Sequence, residues 1–436
     1  MKNGTQAARL LRGPSRLSES KLVRVLFFAI PVLAVAEPKG SVILLLLVAG
    51  LSFGSGAVRR RFIRFLRTPV VILLGCLLIW YAVTALWSPD VDEGLWRSLR
   101  TLIMAAAGLT VLSLVLTANE TDRAALDRAL VWSAVLFPLL YLGGMAGCQL
   151  SPSKILPWLS PLGTICDTPP LRHAAIQFSG AALPLTLVLW RRWGAAAAIP
   201  FLGLAVAGLA IHPKVAAIVA LGGGGVAFAA VYFGRRAGLM FVATLCTIAA
   251  LISPQATAFI VEQPAVRSFA PNLPPSWQHR LVIWEATADQ IADRPLLGYG
   301  AGFHRYMRTI EGPPITIYED GRPRTMPLRF HHPHNTFMQV WLEGGVVGAL
   351  LLAGGFVAFW RMLLRSRLGR AELAVTAAVF VGWFIFSGTD FDPWETRWIA
   401  GQFVILLVTA AVVTRTAQAQ ESEGPSRRTD SVEWDG

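Results

Sequence analysis

The stretch FHHPHNT (330–336) runs without a break into FMQVWLEGGVVGALLLAGGFVAFW (337–360). Its second part is an apolar run long enough to cross a bilayer as a helix, since about 20 residues at 1.5 Å each span the hydrocarbon. Its first part puts His331, His332 and His334 where that run meets a long polar segment. Histidine exchanges protons near neutral pH, so a cluster at a water–lipid border points to chemistry.

Eleven further apolar runs surround this one. Ordered along the chain, they are 22–36, 41–58, 69–87, 101–117, 129–149, 173–190, 194–211, 215–233, 237–253, 372–388 and 398–414. Of the 436 residues, 54% are hydrophobic and 15% charged, with a mean hydropathy of +0.53. A soluble domain carries about 25% charged residues. The fold class expected is therefore all-α: a polytopic membrane protein of about 12 transmembrane helices. Ala34-Val35-Ala36 has the small-residue form of a signal-peptide cleavage site. The run at 41–58 follows at once, however, and the pair reads as a helical hairpin.

The net charge of +13 does not indicate a nucleic-acid partner, because the arginines sit in short loops between apolar runs. They gather at Arg59–Arg67, Arg123 and Arg128, Arg191 and Arg192, Arg235 and Arg236, and Arg361–Arg370, all on one side of a twelve-span topology. Positive loops mark the cytoplasmic side. Both termini are expected there, with membrane lipids against the basic stretch 59–67. The domain plan is a cytoplasmic tail (1–20), spans one to nine (21–253), a large helical periplasmic loop between spans nine and ten (254–336), spans ten to twelve (337–414) and a second tail (415–436). Cys148 and Cys166 flank one outer loop, where a disulfide is an option in an oxidising compartment.

Candidate site residues follow from the outer side. Pro333 can start a helix, and Asn335 or Thr336 can cap it. The free N–H groups of that helix favour an anion such as phosphate, with His334 beside it as general base. Arg172, Lys214 and Arg280 are cations on the outer side, Arg280 opening a helical stretch with Trp277 and Trp284. Cations fixed at the lipid surface suit a lipid-linked diphosphate. His332, Asn335, Arg172 and Trp284 are read as substrate-binding; His334, Arg280 and Lys214 as catalytic. Asp390, Asp392 and Glu395 with Trp394, Arg397 and Trp398 form an acidic outer loop suited to an acceptor sugar. Asp90, Asp92 and Glu93 read as a solvated loop rather than a divalent-metal site. A zinc site at His332 and His334 lacks an obvious third ligand, so no metal and no cofactor is expected.

These residues resemble the O-antigen ligase family. Its members carry a histidine, then Asn, Ser or Gln, nine residues, and Gly-x-x-Gly. Here His334-Asn335 is followed by nine residues and then Gly345-Val346-Val347-Gly348. The segment from Arg280 to Trp284, and Pro295-Leu296-Leu297-Gly298-Tyr299-Gly300 after it, resemble the family's arginine-led outer helix and its ending. Pro213-Lys214 stands where the family often has Ser-Arg, which keeps the charge and loses bidentate phosphate recognition. The resemblance implies transfer of a glycan from undecaprenyl diphosphate to lipid A–core, at the periplasmic face of the bacterial inner membrane, by metal-independent, inverting chemistry. The same superfamily holds O-antigen and exopolysaccharide polymerases, the alternative expectation. A non-catalytic polysaccharide or lipid exporter is the third, disfavoured because the ionisable residues gather at the outer border and no repeat symmetry is visible.

Overall fold

The computed structural model describes residues 19–116, 118, 120–149, 169–211, 215–307, 314–319, 322–328 and 332–422. Helices dominate it. Before the polar segment come α1 (Glu19–Ala36), α2 (Pro38–Phe53), α3 (Gly56–Leu66), α4 (Pro69–Thr84), α5 (Val91–Leu116), α6 (Glu120–Gln149), α7 (Pro169–Trp193), α8 (Ala195–Ile211) and α9 (Val215–Leu251). The polar segment holds α10 (Ser253–Glu262), α11 (Pro264–Phe269), α12 (Pro275–Asp293), α13 (Phe303–Met307), β1 (Pro314–Glu319) and β2 (Arg322–Pro327). After it come α14 (Thr336–Arg365), α15 (Arg370–Thr389) and α16 (Thr396–Ser422).

Each apolar run read from the sequence has a helix beneath it, but they do not all have the form of a simple span. Among the described residues, eight helices are long and apolar enough to cross a membrane, nine if the bent pair α2–α3 is one span. This makes the chain a multi-pass membrane protein. The pair α2–α3 turns by 112°, and α3 carries Arg59, Arg60, Arg61 and Arg64 along its short length. α8 and the apolar part of α1 are shorter. The runs 215–233 and 237–253 form one 37-residue helix, broken at Arg235, whose φ of 51° and ψ of −124° are not helical.

Three apolar clusters organise the packing. The largest joins α1, α2, α5, α6, α7, α8 and α16 around Phe27, Phe137, Tyr141 and Phe178. A second joins α4, α9, α14 and α15 through Tyr81, Phe337, Phe356 and Trp394. The third lies outside the long bundle and packs α12, α13 and the hairpin onto the start of α14, through Ile283, Phe303, Ile315, Ile317, Met338 and Trp341.

The hairpin departs from the expected wholly helical outer segment. β1 and β2 pair antiparallel, from Pro314 opposite Pro327 to Glu319 opposite Arg322. The period of two explains it: Ile315 and Ile317 are buried while Pro314, Thr316 and Tyr318 are exposed, a strand pattern that no helix face can satisfy. Gln278 of α12 clamps the strand, donating to the Tyr318 carbonyl at 2.8 Å and accepting its N–H at 2.7 Å.

The polar segment also enters α14. Gly345, at φ 60° and ψ −161°, breaks the helix. Helical partners for the carbonyls of Leu342 and Glu343 are lost there, and the backbone of 295–300 replaces them. Tyr299 N–H donates to Leu342 O at 2.8 Å, Gly300 N–H to Glu343 O at 3.0 Å, and Val346 N–H to Pro295 O at 2.8 Å. Orphaned backbone groups at membrane depth cost several kcal/mol each, so a break survives only where protein re-satisfies it. A side chain at Gly345 would place Cβ 2.3 Å from Leu296 O, and one at Gly298 2.7 Å from the Glu343 carbonyl carbon. Gly344 and Gly348 do what a small-xxx-small pair does: both leave room for Trp80 of α4, whose indole donates to Gly344 O at 2.8 Å.

Candidate active site

Asn335 is the cap that starts α14. Its φ of −148° is extended, and its Oδ1 accepts from Phe337 N–H at 3.0 Å and Met338 N–H at 3.2 Å. The side chain of Asn335 is thus spent on the helix, which fixes the residues just before it. His334 has φ 51°, rare for a residue with a Cβ. Its N–H donates to His332 Nδ1 at 3.2 Å, and the two rings lie 3.9 Å apart. The Pro333 carbonyl between them accepts the Trp284 indole N–H at 2.7 Å. Trp284 therefore enters the site by holding the histidine turn through its N–H.

Arg280 lies on α12, one turn before Trp284. Its guanidinium is mostly buried, bonds Asp390 at 3.2 Å and sits over the Trp277 ring at 5.1 Å. Burial pulls its pKa down, and Asp390 partly offsets that. His332 is ringed by Asp392, His304, Asp390 and Arg280. Burial pushes its pKa down from 6.5 to about 4; Asp392 and Asp390 oppose the shift, His304 and Arg280 add to it. It is neutral at pH 7.

Behind the histidines lies a buried ionic network. His304 Nδ1 meets Glu343 Oε1 at 2.6 Å, and its Nε2 faces Asp392 Oδ2 at 3.5 Å. The Trp394 indole N–H donates to Glu343 Oε2 at 2.7 Å, and the Gln339 amide N–H to Asp392 Oδ1 at 3.2 Å. Arg97 of α5, 1% exposed, reaches Asp392 at 3.2 Å and Glu93 at 2.7 Å. Burial alone would lower the His304 pKa, but Glu343 and Asp392 outweigh it and push it up to about 9. Burial acts to raise the Asp392 pKa, yet His304, His332 and Arg97 hold it well below the usual carboxylate range. Buried charges of this kind persist only when paired.

Several sequence expectations change here. Trp394 does not stack on a sugar: it is 4% exposed and stacked on Tyr81 at 3.8 Å. Trp398 is stacked on His173 at 3.8 Å. Asp390 and Asp392 serve Arg280, His304 and Arg97. Asp90 caps α5 through Glu93 N–H at 3.0 Å. Arg172 is exposed on α7 beside His173, at the same end of the bundle as Trp398. Lys214, His331 and the Cys148–Cys166 question fall outside the described residues or side chains. His304 was not singled out from sequence: a histidine in Gly302-Phe303-His304 carries no motif, and only folding shows that it meets Glu343 and Asp392. Among the described residues, no group of three or more His, Cys, Asp or Glu is arranged to hold a metal.

A bundle of apolar helices with paired charges, histidines and an arginine gathered at one end defines a multi-pass membrane protein. Residues 200–353 match the family model described as O-antigen ligase. The likeness to the O-antigen ligase family read from His334, Asn335, Gly345 and Gly348 is thereby borne out over that segment. It is similar to three proteins named "putative polysaccharide ligase". Identity is 26% over 206 residues with that of Rickettsia conorii, covering 47% of this chain and 48% of the relative. It is 29% with that of Rickettsia typhi and 30% with that of Rickettsia prowazekii, each over 139 residues, 32% of this chain and 33% of the relative. The chain thus matches between a third and half of the length of these relatives.

Proposed function

We propose that this protein is an O-antigen ligase: a glycosyltransferase that moves a glycan from undecaprenyl diphosphate to a sugar of lipid A–core. The observation that carries this reading is the convergence of His334, His332 and Arg280 at the start of α14, on the ligase motif itself. In this mechanism the His334 imidazole takes the proton of an acceptor hydroxyl. The freed oxygen attacks the anomeric carbon from the face opposite the diphosphate. The bond from that carbon to the diphosphate oxygen breaks, its electron pair leaves with undecaprenyl diphosphate, and the anomeric configuration inverts. Arg280, with Lys214 and Arg172 as further cations, stabilises the charge that grows on the leaving group. His334 then returns its proton to water. Cations fixed in the protein take the role a metal plays elsewhere, so no metal or cofactor is assigned.

The site faces the periplasm of the bacterial inner membrane in this reading, with both termini cytoplasmic. Support comes from the arginine loops. α7 starts near Trp398 at the site end and carries Arg191 and Arg192 in the last turn of its 25 residues, of which Arg191 pairs with Glu372 at the start of α15. The basic turns therefore lie at the end away from the site, and basic turns stay in the cytoplasm. The twelve-span plan, with 254–336 as the periplasmic loop and tails at 1–20 and 415–436, fits the same orientation.

Deleting the gene and running the lipopolysaccharide on a gel tests the function. A ligase leaves bare core, with polymer held on its lipid carrier. Core bearing a single repeat indicates a polymerase instead, and glycan trapped in the cytoplasm an exporter.

A further inference from the structure

We infer that His332 is a positioning residue for His334: its Nδ1 holds the His334 backbone N–H and so fixes the left-handed turn that aims the His334 ring. The inference rests on the reading of His334 as the base. Among the described residues only Arg235 and His334 have positive φ without being glycine. Such a conformation persists where its surroundings over-determine it, and it clusters at functional sites. Three contacts, four hydrogen bonds in all, surround this conformation: the Trp284 indole on Pro333 O at 2.7 Å, the Asn335 cap on Phe337 and Met338, and the His334 N–H on His332 Nδ1 at 3.2 Å. The first two hold the residues either side of His334. The third acts on His334 itself.

The chemistry of that bond has a direction. A backbone N–H only donates, so His332 Nδ1 must keep its lone pair and the ring must be neutral with its proton on Nε2. The groups facing His332 are Arg280 from α12, His304 from α13, Asp390 and Asp392 from the loop before α16, and His334 beside it. The balance of burial and these charges keeps the ring neutral. Asparagine is the conservative variant, because its Oδ1 hangs from Cγ as Nδ1 does and accepts the same N–H without titrating.

The test uses the full chain in lipid nanodiscs with a lipid-linked glycan donor and a lipid A–core acceptor. It measures kcat, both KM values, and the rate at which diethyl pyrocarbonate modifies His334, read by mass spectrometry. His332→Ala should lose about 100-fold in kcat, the scale of a misplaced catalytic group, with both KM values nearly unchanged. The His334 modification rate should change with it. His332→Asn should stay within about 5-fold of wild type in kcat and keep the wild-type modification rate. The inference is overturned if His332→Ala keeps wild-type kcat and His334 reactivity, if the Asn variant is as impaired as the Ala variant, or if KM rises while kcat holds. His334→Ala run alongside separates the two claims: full transfer there defeats the base assignment, while the modification rates still report on the turn.

Discussion

His304 shows how far one side chain can be set by its neighbours. It is buried, and alone it would be neutral at pH 7. Glu343 at 2.6 Å and Asp392 at 3.5 Å push its pKa up to about 9. A group whose pKa is raised on folding stabilises the fold fully below its unfolded value, near 6.5, and that contribution is lost as pH rises through about 9. The thermal midpoint of the purified protein should therefore fall across that window. In His304→Gln the midpoint should be lower near pH 6 and its alkaline fall shallower. An unchanged profile in the variant would show that the imidazolium does not carry this linkage. His332 works in the opposite sense: with its pKa lowered to about 4, its share of stability is lost as pH falls from about 6.5. His332→Asn should flatten that acid limb in the same melting series. At this scale the sequence was legible where a motif existed. His334 and Asn335 stood out by spacing, and Asn335 caps α14 as its type suggests. Trp394 misled because exposure is not written in residue type: a tryptophan beside acidic residues fits a sugar site and a buried stack on Tyr81 equally well.

At the scale of the element, α14 is the informative case. Its apolar length was plain from the residues 337–360, but its break was not. Gly344 and Gly348 pack closely against Trp80 of α4. What no local pattern showed is that the segment 295–300 supplies the missing hydrogen bonds at Gly345, since that requires residues about 45 positions apart to meet. The break predicts a sharp sensitivity. Gly345→Ala adds a Cβ 2.3 Å from Leu296 O at a φ of 60°. It should destabilise by at least about 2 kcal/mol, seen as a lowered thermal midpoint and reduced membrane yield. Gly225→Ala is the control: a Cβ there meets nothing within 4 Å, so the midpoint should not fall. The hairpin β1–β2 was missed for a related reason: strands of six residues inside a long polar segment give a weak period-two signal beside many strong helices.

For the whole molecule, hydropathy determined the class and charge placement determined the proposed orientation. The broken helices explain why runs of apolar residues and membrane-length helices do not match one to one: α2–α3 bends by 112°, and Arg235 interrupts α9. The proposed orientation can be checked with single cysteines in a background lacking Cys76, Cys148, Cys166 and Cys246. A cysteine at Ser276, exposed at the start of α12, should react with a membrane-impermeant maleimide added to spheroplasts, and one at Arg367 should react only after the membrane is opened. The reverse pattern would turn the molecule over and remove the periplasmic site. Transfer by His334 can be read from a reconstituted reaction. Wild-type protein in nanodiscs, given undecaprenyl-diphosphate-linked glycan and lipid A–core, should yield glycosylated core. His334→Ala, equally folded and inserted, should lose at least about 100-fold of that rate; transfer by that variant at the wild-type rate would exclude His334 as the base.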